Sequence, residues 1–156
     1  MSEADAIPKE ADGAADEAPR AVLFACNLNS VRSPMAEAIA KAVMGADAAI
    51  DSVGVYEGFA DPFAAAVMAE AGYDLSAHAP KTFADVADAR FDLIIALTPE
   101  AYRRAKELAD RTGGRAEYWP IANPSEAHGS RDQIMDSYRQ TRDDLVRSID
   151  QRFRTD

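Results

Sequence analysis

The chain has 156 residues, 47% of them hydrophobic, which is enough for one packed core and too few for several. A net charge of −10 with no basic stripe argues against nucleic acid as a partner. No apolar run reaches the ~18 residues of a membrane span, and a single cysteine excludes an internal disulfide framework or a cysteine-rich metal site.

Residues 1–19 hold six carboxylates against Lys9, about half of the net charge. They read as a disordered acidic tail ahead of one domain spanning residues 20–156. This start is acidic where a secretory signal would be basic, and a reduced thiol suits the cytoplasm, so a cytoplasmic protein with no membrane partner is expected. Ala21 to Ala25 is a short apolar strand. A helix follows from Pro34 to about Met44, with Met35, Ile39 and Ala42–Val43 inward at helical spacing. A second strand lies near Ala48 to Val53. Asp61-Pro62 reads as N-cap and first helical residue, with Phe63, Val67 and Ala71 inward and Gly72 as terminator. Leu93 to Leu97 is continuously apolar, as a parallel strand covered on both faces should be. Thr98-Pro99-Glu100 opens a helix that Thr112-Gly113-Gly114 closes, and Ala116 to Trp119 makes a fourth strand. The last helix runs from about Arg131 to Phe153, with Ile134, Tyr138, Leu145 and Ile149 inward. Strands alternating with helices predict an α/β fold: a single domain whose four-stranded parallel sheet is doubly wound, with helices on both faces.

The segment between the first strand and the first helix carries the chemistry. It reads Cys26-Asn27-Leu28-Asn29-Ser30-Val31-Arg32-Ser33-Pro34. In doubly wound sheets ligands bind beyond the carboxyl ends of the strands, where Cys26 falls. A loop wrapping into a helix N-terminus aims unpaired N–H groups at one point and forms an oxyanion cradle. The thiolate of Cys26 is the nucleophile such a loop favours. Arg32 can grip two oxygens bidentately. Ser33 can serve as N-cap while its hydroxyl donates to the cysteine sulfur, stabilising the thiolate as a leaving group. Pro34 suits the first helical turn, where its missing N–H costs nothing. The loop itself supplies the electrostatic stabilisation, so neither a metal nor an organic cofactor is expected.

This loop resembles the signature loop of the low-molecular-weight protein-tyrosine phosphatases, a family that includes arsenate reductases. The resemblance continues through Ile50-Asp51-Ser52-Val53-Gly54, Ala60-Asp61-Pro62, Gly72 to His78 and Phe91 to Leu97, and covers about residues 20–150. It implies that Cys26 attacks phosphorus and that the backbone of Asn27, Leu28, Asn29, Ser30 and Val31 holds the phosphate with Arg32. It also implies that the Asn29 side chain pins the loop. Where the family carries an Asp-Pro pair whose acid protonates the leaving group, this chain reads Asn123-Pro124. An amide cannot release a proton at useful pH, and a missing general acid costs about 10²–10⁴ in rate. Glu126, His128 and Asp132 are the nearby candidates to replace it, although each also reads as an ordinary loop or first-turn residue. His78 reads as a surface or hinge residue.

Two further departures concern the loop and its rim. Leu28 stands where glycine is usual, and Val31 where many members have a second cysteine. The family's leaving-group slot is walled by tyrosines after its Asp-Pro; here Tyr56, Phe59 or Trp119 would have to supply that wall. Three activities stay open. The first is a phosphatase-like hydrolase of phosphotyrosine or other aryl phosphates, slowed by Asn123. The second is a catalytically weak regulator that binds an oxyanion or a phosphoprotein, and the third a single-cysteine arsenate reductase using a small thiol. The expected partners are a phosphorylated protein or small aryl phosphate, with phosphate, vanadate and arsenate as inorganic ligands.

Overall fold

The computed structural model describes residues 19–154. The acidic tail expected over residues 1–19 therefore falls almost wholly outside the described residues. Four strands, β1 (Ala21–Cys26), β2 (Ala49–Gly54), β3 (Leu93–Ala96) and β4 (Arg115–Tyr118), alternate with four helices. The helices are α1 (Arg32–Met44), α2 (Pro62–Glu70), α3 (Pro99–Thr112) and α4 (Arg131–Phe153). Short 3₁₀ turns occupy Phe83–Val86 and Pro124–Glu126. The strands form one parallel sheet in the order β2-β1-β3-β4.

Side chains of β1 alternate between two cores, as the two-residue period of a strand requires. Val22, Phe24 and Cys26 pack with α1, α2 and α4 on one face. Leu23 and Ala25 pack with α3 and the Phe83–Val86 turn on the other. Both faces are thus covered by helices, and β1 and β3 are buried along almost their whole length. The chain runs from β1 outward to β2, then crosses back to β3 on the other side of β1. The carboxyl end of β1 is therefore the switch point at which such sheets open a crevice, and Cys26 ends that strand.

Helix starts follow the expected chemistry with one exception. The Asp61 carboxylate accepts from the N–H groups of Phe63 and Ala64 at 2.8 and 3.2 Å, and Thr98 Oγ1 accepts from Ala101 N–H at 3.0 Å. Ser130 and Gln133 form a capping box on α4. Ser33, however, is not a cap. The helix begins two residues earlier than expected, its N-cap is Val31, and no side-chain cap bonds to its first-turn N–H groups. The first-turn N–H groups of an uncapped helix face outward unpaired. Alanine misled the expected faces: Ala42 and Ala71 are exposed, while Ala36, Ala40, Ala64 and Met68 are buried. On α4, Met135 is buried and Ile134 only half-buried. No described helix is long and apolar enough to cross a membrane.

Candidate active site

Cys26 is buried at the floor of an open cavity of about 240 Å³. Its Sγ lies 2.9 Å from Ser33 Oγ. Asn29 Nδ2 donates to that same Oγ at 2.9 Å and to Ser52 Oγ at 2.9 Å. The remaining hydrogen of Ser33 then has the sulfur close by, or the Val53 carbonyl at a longer 3.4 Å. Ser33 Oγ thus accepts from Asn29 and holds one hydrogen with two acceptors in reach, Cys26 Sγ and the Val53 carbonyl.

Asn29 is the described non-glycine residue with a left-handed backbone, at φ 54°. Asparagine tolerates this region better than most residues. Its fully buried side chain also accepts the Lys81 N–H at 2.8 Å. Leu28, by contrast, has no positive φ, so leucine fits where glycine is usual in the family. Its side chain is 40% exposed at the rim. Asn27 turns sideways to accept the Thr98 hydroxyl at 2.7 Å, which ties the loop to the start of α3. Ser30 Oγ accepts the Phe59 N–H at 3.0 Å. Val31 is buried. A second loop, after β2, packs against the first so closely that a side chain on Gly54 or Gly58 would strike the backbone of residues 27–29.

Arg32 opens α1 and donates from one guanidinium nitrogen to the Ile121 carbonyl at 2.9 Å, joining the signature loop to residues 119–123. Burial lowers its pKa, and the nearby Cys26 and Glu126 oppose that shift. A guanidinium starts so far above neutrality that it stays charged. Asn123 lines the same cavity. Its Oδ1 accepts from Ser125 N–H at 3.0 Å and from Ser125 Oγ–H at 2.7 Å. Of the expected site residues, Asn29 and Ser33 stand behind the cavity wall, while Cys26, Asn27, Leu28, Ser30, Val31, Arg32 and Asn123 line it.

The three candidate replacement acids, Glu126, His128 and Asp132, do not line the cavity and are exposed. Asp61 does line it. Asp61 also caps α2, as its place before Pro62 implies, and its Oδ2 accepts the Tyr138 hydroxyl at 2.8 Å. Tyr138 has its pKa raised by burial and then by Asp61, so it stays a donor. Tyr56 and Phe59 are 52% and 64% exposed at the rim, whereas Trp119 is buried against Phe24 and Phe153 and contributes nothing to the slot.

His78, expected as a surface or hinge residue, is half-buried. Its side chain is only 13% exposed, with Nε2 3.2 Å from the Asn29 carbonyl and Nδ1 3.9 Å from Glu37 Oε1. Glu37 in turn accepts from Ser52 Oγ at 2.6 Å. A polar scaffold therefore braces the loop from behind. Its members are 8 to 52 residues away from Asn29 in sequence, and no local spacing signals them.

Comparison with known proteins agrees with this geometry. The sequence profile of the low molecular weight phosphotyrosine protein phosphatases matches residues 21–154. A low molecular weight protein-tyrosine-phosphatase of Streptomyces coelicolor is 35% identical over 133 residues, covering 78% of this chain and 80% of that protein. An arsenate reductase of Bacillus licheniformis is 28% identical over 134 residues, covering 83% and 92%. Among solved structures, an arginine phosphatase from Geobacillus stearothermophilus superimposes with a TM-score of 0.69 at 24% identity, covering 85% of this chain and 89% of its own. An arsenate reductase in the phosphate binding state gives 0.70 at 24% identity, covering 85% and 95%. The last two share the fold. With its profile match running from β1 to the end of α4, the chain belongs to the low molecular weight phosphotyrosine protein phosphatase family.

Proposed function

We propose that this protein is a cysteine-dependent phosphatase-like hydrolase that acts on phosphotyrosine or another aryl phosphate through a thiophosphate on Cys26. The observation that carries the reading is the 2.9 Å contact between Cys26 Sγ and Ser33 Oγ on the floor of a cavity walled partly by Arg32. The thiolate attacks phosphorus, forming the S–P bond as the P–O bond to the leaving group breaks. Arg32 and the loop N–H groups hold the equatorial oxygens as charge builds on them. Water then attacks the thiophosphate, and the electron pair of the S–P bond returns to sulfur with Ser33 donating to it. The same cradle would take phosphate, vanadate or arsenate as inorganic ligands.

Asn123 makes the first step slow for basic leaving groups, by about 10²–10⁴ relative to a site with a general acid. Hydrolysis of p-nitrophenyl phosphate between about pH 5 and 8, run beside Cys26→Ser, tests the reading, because this leaving group needs little protonation. Turnover that disappears in the serine variant supports it. Vanadate binding without turnover would make the site a receptor instead.

The names of relatives such as the Bacillus licheniformis protein favour a second reading, arsenate reduction. The chain has one cysteine, so a small thiol would have to attack the arseno-thiol adduct and supply the electrons. Arsenate-dependent consumption of glutathione separates this reading from the first.

A further inference from the structure

We infer that Glu117 and Arg152 are positioning residues for the oxyanion site: with Trp119 they form a buried bracket at the end of β4 that sets the reach of the Arg32 guanidinium. The inference rests on the hydrolase reading above in taking Arg32 as the group that grips the oxyanion. Glu117 has only 3% of its side chain exposed and Arg152 24%. A buried ion pair of this kind adds little stability over apolar side chains of similar size, because both charges lose their water. Its place beside the loop that anchors Arg32 gives it a different use.

Both oxygens of Glu117 are taken. Arg152, in the last turn of α4, donates to Oε2 from Nη2 at 2.9 Å and from Nε at 3.1 Å. The Trp119 indole N–H donates to Oε1 at 3.2 Å. The indole also meets the rings of Phe24 and Phe153, with centroids 6.2 and 6.5 Å away. The backbone N–H of Trp119 bonds to the Ala96 carbonyl at 2.8 Å. The residue that opens the loop after β4 is thus held from β1, β3, β4 and α4 together. Two residues on, the Ile121 carbonyl accepts from Arg32 Nη1 at 2.9 Å, the one hydrogen bond the Arg32 side chain makes among the described residues. Pro120 lies between, and its ring fixes φ, which leaves fewer torsions to absorb a shift of Trp119. Arg32 lines the cavity floored by Cys26, and an oxyanion there can use the guanidinium N–H groups that Ile121 does not. Loosening the bracket would let the Ile121 carbonyl move and return rotamer freedom to Arg32. The grip then weakens through lost preorganisation, with the charge of Arg32 unchanged.

A double-mutant cycle on the full chain tests this, with vanadate affinity read by titration calorimetry so that no turnover is needed. Glu117→Met with Arg152→Met replaces the ion pair by apolar side chains, and its urea midpoint should stay at or above the parent's. Its vanadate affinity should fall about 10-fold, the scale of one hydrogen bond to a charged group. Arg32→Ala should lower the affinity further than that. Adding the methionine pair to Arg32→Ala should then change it by less than about 2-fold, since coupled sites do not add as independent ones do. If the methionine pair lowers the urea midpoint, the cycle is run on Glu117→Gln, which keeps the shape and an acceptor for Trp119 while removing the charge that holds Arg152. An equal loss in both backgrounds, or parent-like affinity in a folded bracket variant, overturns the inference and leaves the hydrolase reading standing. If Arg32→Ala itself binds vanadate as the parent does, the hydrolase reading fails and takes this inference with it.

Discussion

Ser33 Oγ sits between two groups at the same distance, accepting from Asn29 Nδ2 at 2.9 Å and lying 2.9 Å from Cys26 Sγ. The amide occupies a lone pair of the hydroxyl, whose one hydrogen has the sulfur at 2.9 Å and the Val53 carbonyl at 3.4 Å. A donor in that place matters most when sulfur is the leaving group. Ser33→Ala should therefore slow breakdown of the thiophosphate by about 10- to 100-fold, the worth of one hydrogen bond to a charged group. Rapid mixing with p-nitrophenyl phosphate would then show a stoichiometric burst and a mass increase of one phosphoryl group on Cys26. A slower steady state with no accumulated phosphoenzyme would place the serine's effect elsewhere.

Asn29 combines a backbone problem with a polar one. It holds φ 54° and serves Ser33, Ser52 and the Lys81 N–H from a fully buried position. Asn29→Ala strands those partners and forces an alanine into the left-handed region, which together should cost roughly 3 kcal/mol. Asn29→Gly loses the same bonds without the backbone strain, so it should be more stable than the alanine variant by about 1 kcal/mol. Urea unfolding of the two variants reads that difference directly. Equal stabilities would mean that the left-handed turn relaxes.

The approach of the second loop can be tested at Gly58. A Cβ there would lie 1.9 Å from the Leu28 carbonyl oxygen, too close for any side chain adjustment to relieve. Gly58→Ala must push residues 55–60 away from the signature loop and break the bond from Phe59 N–H to Ser30 Oγ. Displacements of this size at a reacting centre cost on the order of 10² in rate. The expectation is a loss of kcat/KM of that size on p-nitrophenyl phosphate with a much smaller change in vanadate affinity. A parent-like rate would show that the rim is not a part of the reacting geometry.

What was legible in the sequence divides along the distance over which residues act. The apolar run at residues 93–97 and the cap-proline pairs Asp61-Pro62 and Thr98-Pro99 announce their elements because strand burial and capping are local. Cys26, Arg32 and Ser33 lie within seven residues, so their meeting follows from one turn of chain. Proline tolerates several first-turn positions, which is why Pro34 left the start of α1 two residues uncertain. Alanine has little apolar surface to direct it, so Ala42 and Ala71 stay exposed although helical spacing points them inward. Asp61 in the cavity and His78 behind the Asn29 carbonyl depend on the paths of loops. Nothing near either residue in sequence specifies those paths.

Stability in acid should depend on Glu70, which joins α2 to α4. Its carboxylate accepts from Arg139 at 2.9 and 2.7 Å and from Arg142 at 3.3 Å. The Arg139 hydrogen bonds are the main reason its pKa falls from 4.5 to about 2. A folded pKa below the unfolded one means that the unfolded chain binds the proton first. The stabilisation is thus complete above the unfolded value, declines as pH falls below it, and is gone once pH passes the folded value. The pair is exposed, so salt should weaken it. Glu70→Gln keeps the shape and removes the charge. Its urea midpoint should lie below the parent's at pH 7, approach it between about pH 4.5 and 2, and meet it below that. A gap that persists unchanged at pH 2, or one that ignores salt, would assign the effect of Glu70 to packing.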